Sequence, residues 1–294
     1  MVMKNKFGTR INSYLNLMKP SIMLLVLLTG ATALVLDGSL LAGKIQHGPL
    51  KFALILLGLM LTGGSANAFN MYLEREIDAK MTRTRNRRPL PLGLIKPINA
   101  LYFAFIIGIV GVFIFGMFFN LLSAFLAFAT IAYYSIFYTV YLKPRTPYNI
   151  IIGGAAGSMA PIIAWASVTN NIGIVPILLF VIIFLWTPPH FWALALYLRE
   201  DYELAQYPMM PIVKGDSATK RQMLVYVIAL VISSLALIRT GAGIFYIIIS
   251  TIVGGLFCIK SIKMLKPKSN EMARGFFRYS IVYLFAIFTV WPQL

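Results

Sequence analysis

The acidic residues of this chain are few, and their spacing is what suggests chemistry. Of nine Asp and Glu, Glu74, Glu76 and Asp78 form one cluster, and Glu200, Asp201, Glu203 and Asp216 form a second. In Asn70-Met-Tyr-Leu-Glu74-Arg-Glu-Ile-Asp78, a four-residue step advances about 40° around a helix, so Asn70, Glu74 and Asp78 share one face while Glu76 points elsewhere. Three hard oxygen donors on one face suit Mg²⁺, which takes carboxylates together with waters and phosphate oxygens. The same acids would also serve as a solvated helix end paired with Arg75, Lys80 and Arg83.

Basic residues follow at once, in Arg83-Thr-Arg85-Asn-Arg87-Arg88-Pro-Leu-Pro91. Guanidinium forks bind phosphate oxygens through charge-assisted bonds; anchoring at a membrane surface explains some of these arginines but not the acids beside them. A further stretch, Tyr141-Leu-Lys143-Pro-Arg145-Thr-Pro-Tyr-Asn149, offers Lys143 and Arg145 to the same clamp. The small residues from Gly153 to Pro161 allow close helix approach. The second acidic cluster is preceded by Thr187-Pro-Pro-His190-Phe-Trp192, then Tyr197, Glu200 and Asp201. Two prolines inside an apolar span break backbone bonding and line a cavity or kink, and an ionisable residue beside the break is a functional candidate. A satisfied, merely structural histidine is the competing reading. Glu200 and Asp201 would supply the facing half of a metal site.

The elements that position these residues follow from composition. The chain is 59% hydrophobic and 12% charged, with a mean hydropathy of +0.81. That is more apolar surface than a soluble core buries, and only helices satisfy their backbone in lipid economically. Nine apolar segments fall at about 21–41, 50–70, 99–119, 121–142, 148–168, 173–196, 222–238, 241–259 and 276–293. The division of 99–142 at Asn120 rests on length. The expectation is an all-α, polytopic, single-domain membrane protein spanning residues 1–294.

With a cytoplasmic N-terminus and alternating loops, 23 of the 26 Lys and Arg lie inside, leaving Lys44, Lys51 and Arg239 outside. The net charge of +17 thus needs no nucleic acid partner. Both acidic clusters fall in inside loops four spans apart, a weak hint of an internal repeat. The N-terminal residues lack a signal-peptide pattern and read as a cytoplasmic arm. The lone Cys258 excludes an internal disulfide and a cysteine metal site.

On these residues the chain resembles the UbiA superfamily of intramembrane prenyltransferases. The superfamily pattern, an Asn and two acids at four-residue steps after the second helix and an acidic cluster after the sixth, is matched by Asn70, Glu74 and Asp78 and by Glu200 with Asp201. Within it, the Lys143–Asn149 stretch with Gly-Gly-Ala-Ala-Gly, the Pro-Pro-His190-Phe-Trp run, and Asp201-Tyr leading to Pro208-Met-Met-Pro211 resemble the haem-modifying branch. Glu74 stands where the family usually has Asp, and the arginine stretch is one residue longer than usual, so Arg87 and Arg88 both remain candidates for one family role.

The resemblance implies nine transmembrane helices in a UbiA-type bundle within a prokaryotic cytoplasmic membrane. It implies transfer of farnesyl from farnesyl diphosphate to the 2-vinyl group of protohaem IX, with addition of water. Mg²⁺ would be held by Asn70, Glu74, Asp78, Glu200 and Asp201, and the diphosphate by Arg83, Arg87 or Arg88, Lys143 and Arg145. His190, Asp78 and Asp201 would be catalytic, and His190, Trp192 and Tyr197 would contact haem. Haem-copper oxidase assembly would supply protein partners. The rivals are a related prenyltransferase with another aromatic or tetrapyrrole acceptor and, from a different class, a secondary transporter.

Overall fold

The structure, a computed structural model, describes residues 6–241, 243–266 and 270–290. Among them, nine helices are long and apolar enough to cross a bilayer: α1 (Pro20–Asp37), α2 (Gly48–Leu73), α3 (Pro97–Phe118), α4 (Leu121–Leu142), α5 (Asn149–Thr169), α6 (Ile174–Tyr197), α7 (Gly215–Thr240), α8 (Ile244–Met264) and α9 (Asn270–Val290). The chain is a multi-pass membrane protein. Large apolar side chains such as Ile106, Phe113 and Leu121 point outward, and Leu121 is 81% exposed. That surface is stable because hydrocarbon, not water, covers it.

Each apolar segment read from the sequence corresponds to a helix, with two starts corrected. The ninth helix begins at Asn270, not at 276. The short seventh segment, 222–238, lies in a longer helix that begins at Gly215 and carries Asp216, Lys220 and Arg221 in its first turns. Hydropathy falls where charges begin, but backbone hydrogen bonding does not. The end expected at 293 lies outside the described residues. Asn120 does divide α3 from α4, and the cause is a cap. Its backbone is extended, its Oδ1 accepts from the Ser123 N–H at 2.9 Å, and its Nδ2 donates to the Ala166 carbonyl at 2.8 Å.

Within the bundle α2 packs along α3, α1 lies against the second half of α5, and α6 is flanked by α7 and α9. Small residues set the α2–α3 distance: a Cβ on Gly108 would sit 2.5 Å from Ser65 Oγ, which donates to the Ala104 carbonyl at 2.8 Å.

Two helices depart from α geometry where they face the interior. The second half of α4, Tyr133–Leu142, is a π-helix, in which the Lys143 N–H reaches back to the Tyr138 carbonyl at 2.9 Å. Such widened turns are rare and gather at functional sites. Here the turn stacks Tyr134 on Tyr138, with ring centroids 5.3 Å apart. Helix α5 breaks after Gly157 and restarts at Ala160, next to Pro161, which has no N–H to continue the first half. Gly153 is required opposite the π-helix, because a Cβ there would lie 2.3 Å from the Tyr138 ring. Gly153→Ala is therefore expected to destabilise the protein by about 1–3 kcal/mol, seen as a lower thermal unfolding temperature in detergent. Adding Tyr138→Leu should restore it, and unchanged unfolding of the single variant would show that this contact does not hold α4 to α5.

Candidate active site

One end of the bundle collects the first acidic cluster. Helix α2 closes at Leu73, and the short helix Arg75–Lys80 follows without losing the four-residue step: the Glu74 N–H bonds the Asn70 carbonyl at 3.0 Å, and the Asp78 N–H bonds the Glu74 carbonyl at 2.8 Å. Asn70, Glu74 and Asp78 are all buried on that shared face, while Glu76 is exposed and paired with Arg75 at 3.2 Å.

Three cations from three different elements converge on the buried face. Lys143 Nζ, at the end of the π-helix, donates to Glu74 Oε1 at 2.5 Å and lies over the Tyr207 ring, 4.7 Å from its centroid. Arg88 forms an ion pair with Asp78 and stands 3.8 Å from Glu74 Oε2. Lys19 Nζ donates to Asn70 Oδ1 at 2.8 Å, and Asn70 Nδ2 donates in turn to Thr139 Oγ1 at 3.2 Å. Lys19 adopts a left-handed φ of +54° immediately before Pro20. For a non-glycine residue this is costly backbone, of the kind that persists where surrounding structure demands it.

The electrostatics of the two carboxylates differ in sign. Burial alone would raise the Glu74 carboxyl, but Lys143, by charge and hydrogen bond, with Lys19 and Arg88, holds it below the usual range. The Asp78 carboxyl is raised, because burial and the neighbouring Glu74 outweigh its pairing with Arg88. Burial and the charges of Arg88 and Lys143 push the Lys19 ammonium well down, despite Glu74 and Asp78.

From the second acidic cluster, one residue reaches the loop that follows the first. Asp201 is buried, and its two oxygens accept from the Thr82 and Arg83 backbone N–H groups at 3.1 and 3.0 Å. It thus brackets the arginine loop. Glu200, one position earlier and about 100° around the helix, is exposed and does not join the site. Arg145 is corrected too: it is exposed, lies 4.5 Å over the Tyr141 ring and donates to the Val140 and Tyr141 carbonyls, closing the end of α4. Arg83, Arg87 and Arg88 all face the interior cavity. Arg83 Nε is buried without an acceptor.

Behind this rim lies a cavity of about 750 Å³, within the about 300–1,000 Å³ range of small-molecule sites. Its mouth carries Lys19, Asn70, Arg83 and Lys143, and its depth is lined by apolar residues such as Leu59, Ile163 and Leu284. Leu59 and Asn70 lie on the same helix, so the apolar lining extends about 16 Å from the polar rim.

His190 lines the same cavity from α6, beside Pro188 and Pro189. Its imidazole is sandwiched between Trp186 and Phe277, with centroids at 4.2 and 4.3 Å, and its Nδ1 lies 2.6 Å from Ser280 Oγ. Trp192 and Tyr197 are not at the cavity. Trp192 is fully buried edge-on to Tyr226, and Tyr197 packs edge-on to Phe277. The tryptophan beside the histidine is Trp186, one helical turn before it, which the motif Pro-Pro-His-Phe-Trp passes over. Lys19, Thr139 and Ser280 were equally unmarked by any motif, whereas Tyr207 opens the Tyr207-Pro-Met-Met-Pro211 run and Trp186 was within reach of the four-residue rule.

The donor set fits a divalent cation. Two buried carboxylates and an amide oxygen are hard ligands, and they are met in this structure by three protein cations. No cage of three or more His, Cys, Asp and Glu forms among the described residues, and Mg²⁺ commonly takes one or two carboxylates plus substrate phosphates.

A buried acid face, a cationic rim and an apolar cavity thus lie together in one membrane bundle. The UbiA prenyltransferase family profile matches residues 26–287, and the chain belongs to that family. Curated relatives named protoheme IX farnesyltransferase are 42% identical over 94% of this chain and 87% of the relative in Microcystis aeruginosa, and 44% identical over 92% and 88% in Erythrobacter litoralis. Among solved structures, a digeranylgeranylglyceryl phosphate synthase superposes with a TM-score of 0.77 at 21% identity, covering 97% of this chain and 99% of that one. A UbiA homologue from Archaeoglobus fulgidus bound to DMAPP and Mg²⁺ superposes at 0.64 and 16% identity, covering 96% and 100%. These superpositions show the shared fold.

Proposed function

We propose that this protein transfers the farnesyl group of farnesyl diphosphate to the 2-vinyl group of protohaem IX, with water completing the addition, to make haem O. The observation that carries the reading is the single cavity that joins the cationic rim to His190. One substrate there must have an anionic head and an apolar body, and the other must meet a histidine in an aromatic box. The names of the curated relatives support protohaem and farnesyl as those two substrates.

Asn70, Glu74 and Asp78 would hold Mg²⁺. When bound, the ion neutralises diphosphate charge and so eases departure of the leaving group. Lys143, Arg83 and Arg87 bind the diphosphate oxygens and stabilise the charge that builds as the C1–O bond breaks and its electron pair passes to the diphosphate. Asp201 keeps Arg83 in place through the backbone of its loop. The apolar lining holds the prenyl tail and keeps water from the allylic cation. The vinyl π electrons form the new bond to C1. Water then captures the positive charge on the carbon beside the porphyrin and loses a proton. His190 faces the haem. The charge count of the loops supports a cytoplasmic position for the rim in a prokaryotic cell membrane.

The direct test is incubation of the full chain in detergent with protohaem, farnesyl diphosphate and Mg²⁺, followed by mass spectrometry of the extracted haem. A mass gain equal to farnesyl plus hydroxyl, matched by diphosphate release, is the expected result. Diphosphate release with another acceptor modified and haem unchanged would overturn the acceptor, and no release at all would overturn the chemistry.

A further inference from the structure

His190 is fixed by more than packing. Ser280, on α9, is completely buried, and its Oγ has two neighbours: the Phe277 carbonyl oxygen at 2.6 Å and His190 Nδ1 at 2.6 Å. A hydroxyl has a single hydrogen to donate. The carbonyl has none, so if the serine gave its hydrogen to Nδ1, two oxygens would face each other at 2.6 Å with nothing between them. The arrangement closes only when Ser280 donates to Phe277 and accepts from Nδ1–H. That choice fixes the tautomer: Nδ1 carries the hydrogen and Nε2 keeps its lone pair.

The rest of the pocket fixes the direction of Nε2. Trp186 and Phe277 cover the two faces of the imidazole, and Phe191 meets its edge at 5.1 Å. The Trp186 indole is itself anchored, donating from Nε1 to the Ser280 carbonyl at 2.7 Å. Backbone and side chain of one serine thus hold both the histidine and a ring stacked upon it. With Nδ1 occupied and both faces covered, the open part of the ring is the Nε2 side, on the cavity that His190 lines. Nε2 has no hydrogen-bond partner among the described residues, in a pocket walled by aromatic rings. A fixed imidazole whose far nitrogen donates to an oxygen, with the near nitrogen bare, is the arrangement by which proteins present histidine to a metal.

We propose that Ser280 is a positioning residue that locks His190 in the Nδ1–H tautomer, so that Nε2 ligates the iron of protohaem and thereby places the porphyrin in the cavity. The proposal rests on protohaem being the acceptor. It makes recognition of the acceptor depend on its iron as well as on its shape.

The test is binding without turnover, with the full chain in detergent and no farnesyl diphosphate. The probes are ferric protohaem and iron-free protoporphyrin IX, read by absorption and electron paramagnetic resonance. The wild type should give an imidazole-ligated ferric spectrum. His190→Ala should lose it and regain it on addition of free imidazole. Ser280→Ala should weaken ferric haem binding by about 10–100-fold, with affinity for protoporphyrin IX unchanged, which also reports that the cavity remains folded. Ser280→Thr, which keeps the hydroxyl, should retain the wild-type spectrum. Wild-type spectra and affinities in both alanine variants would overturn the proposal while leaving protohaem as acceptor. Equal loss of both porphyrins in Ser280→Ala would also overturn it, as a plain packing role. If the wild type binds neither porphyrin, the acceptor itself is wrong and the proposal falls with it.

Discussion

Asp78→Asn is expected to lower prenyl transfer by at least about 100-fold, the scale of losing one preorganised electrostatic group, while thermal unfolding stays close to wild type. The two halves of this result have one cause. The Asp78 carboxyl is raised because burial and Glu74 oppose its charge more than Arg88 supports it, so the folded protein gains nothing from ionising it. An amide of the same shape keeps a contact to Arg88, removes the poorly compensated charge, and costs little stability. What it removes is a negative oxygen donor for the metal that the diphosphate needs. Turnover of the purified variant with Mg²⁺ and both substrates is the measurement, and near-normal rates would sink the assignment of Asp78 as a ligand.

Lys143→Met should behave in the opposite way, losing stability as well as activity. Glu74 is buried and its carboxyl is held below the usual range chiefly by Lys143 acting against burial. A carboxyl depressed in the folded state contributes stability above its ordinary pKa, and this is lost as pH falls through the folded value. Without Lys143 the buried charge keeps only Arg88, 3.8 Å away, and the field of Lys19. The loss therefore approaches the cost of removing one partner of a buried pair, about 3–5 kcal/mol. Methionine preserves the apolar stem against Tyr207, so the loss reports charge. Adding Glu74→Gln to Lys143→Met should recover most of the unfolding temperature and none of the activity, giving a coupling energy by a double-mutant cycle at neutral pH. An unfolding temperature unchanged in the single variant would show that Lys143 does not support Glu74.

How much of this was legible in the chain depends on which rule each residue obeys. The nine spans were legible because hydrocarbon imposes one composition on all of them, and the Asn70–Glu74–Asp78 face because the four-residue step survives the junction at Glu74. Adjacent residues were a poorer guide. Glu200 and Asp201 are neighbours in sequence, yet only one can turn toward the first loop. Trp192 sits in the same motif as His190, yet Trp186 is the one that stacks on it. Lys19 and Ser280 were beyond reach, since each acts on a residue brought near only by tertiary packing: Asn70 for Lys19, and His190, on a different helix, for Ser280. Arg145 was misplaced for a local reason, because the carbonyls at the end of a helix compete for its guanidinium.

The widened coil at Tyr133–Leu142 has a consequence for how chains of this kind are aligned with one another. The Tyr133 N–H still reaches back four residues to Ala129, whereas the Lys143 N–H reaches back five to Tyr138, so the segment accommodates a residue that an α-helix of the same span would not. Removing one residue lets the coil rewind as an ordinary helix, and everything beyond turns by about 100°. Lys143 would then leave Glu74, although the composition of the segment is almost unaltered. Matching such sequences by count alone pairs the lysine with a neighbour that does not point at the glutamate. Its true equivalent in another chain is found from the angular register of the helix, not from its distance along the sequence.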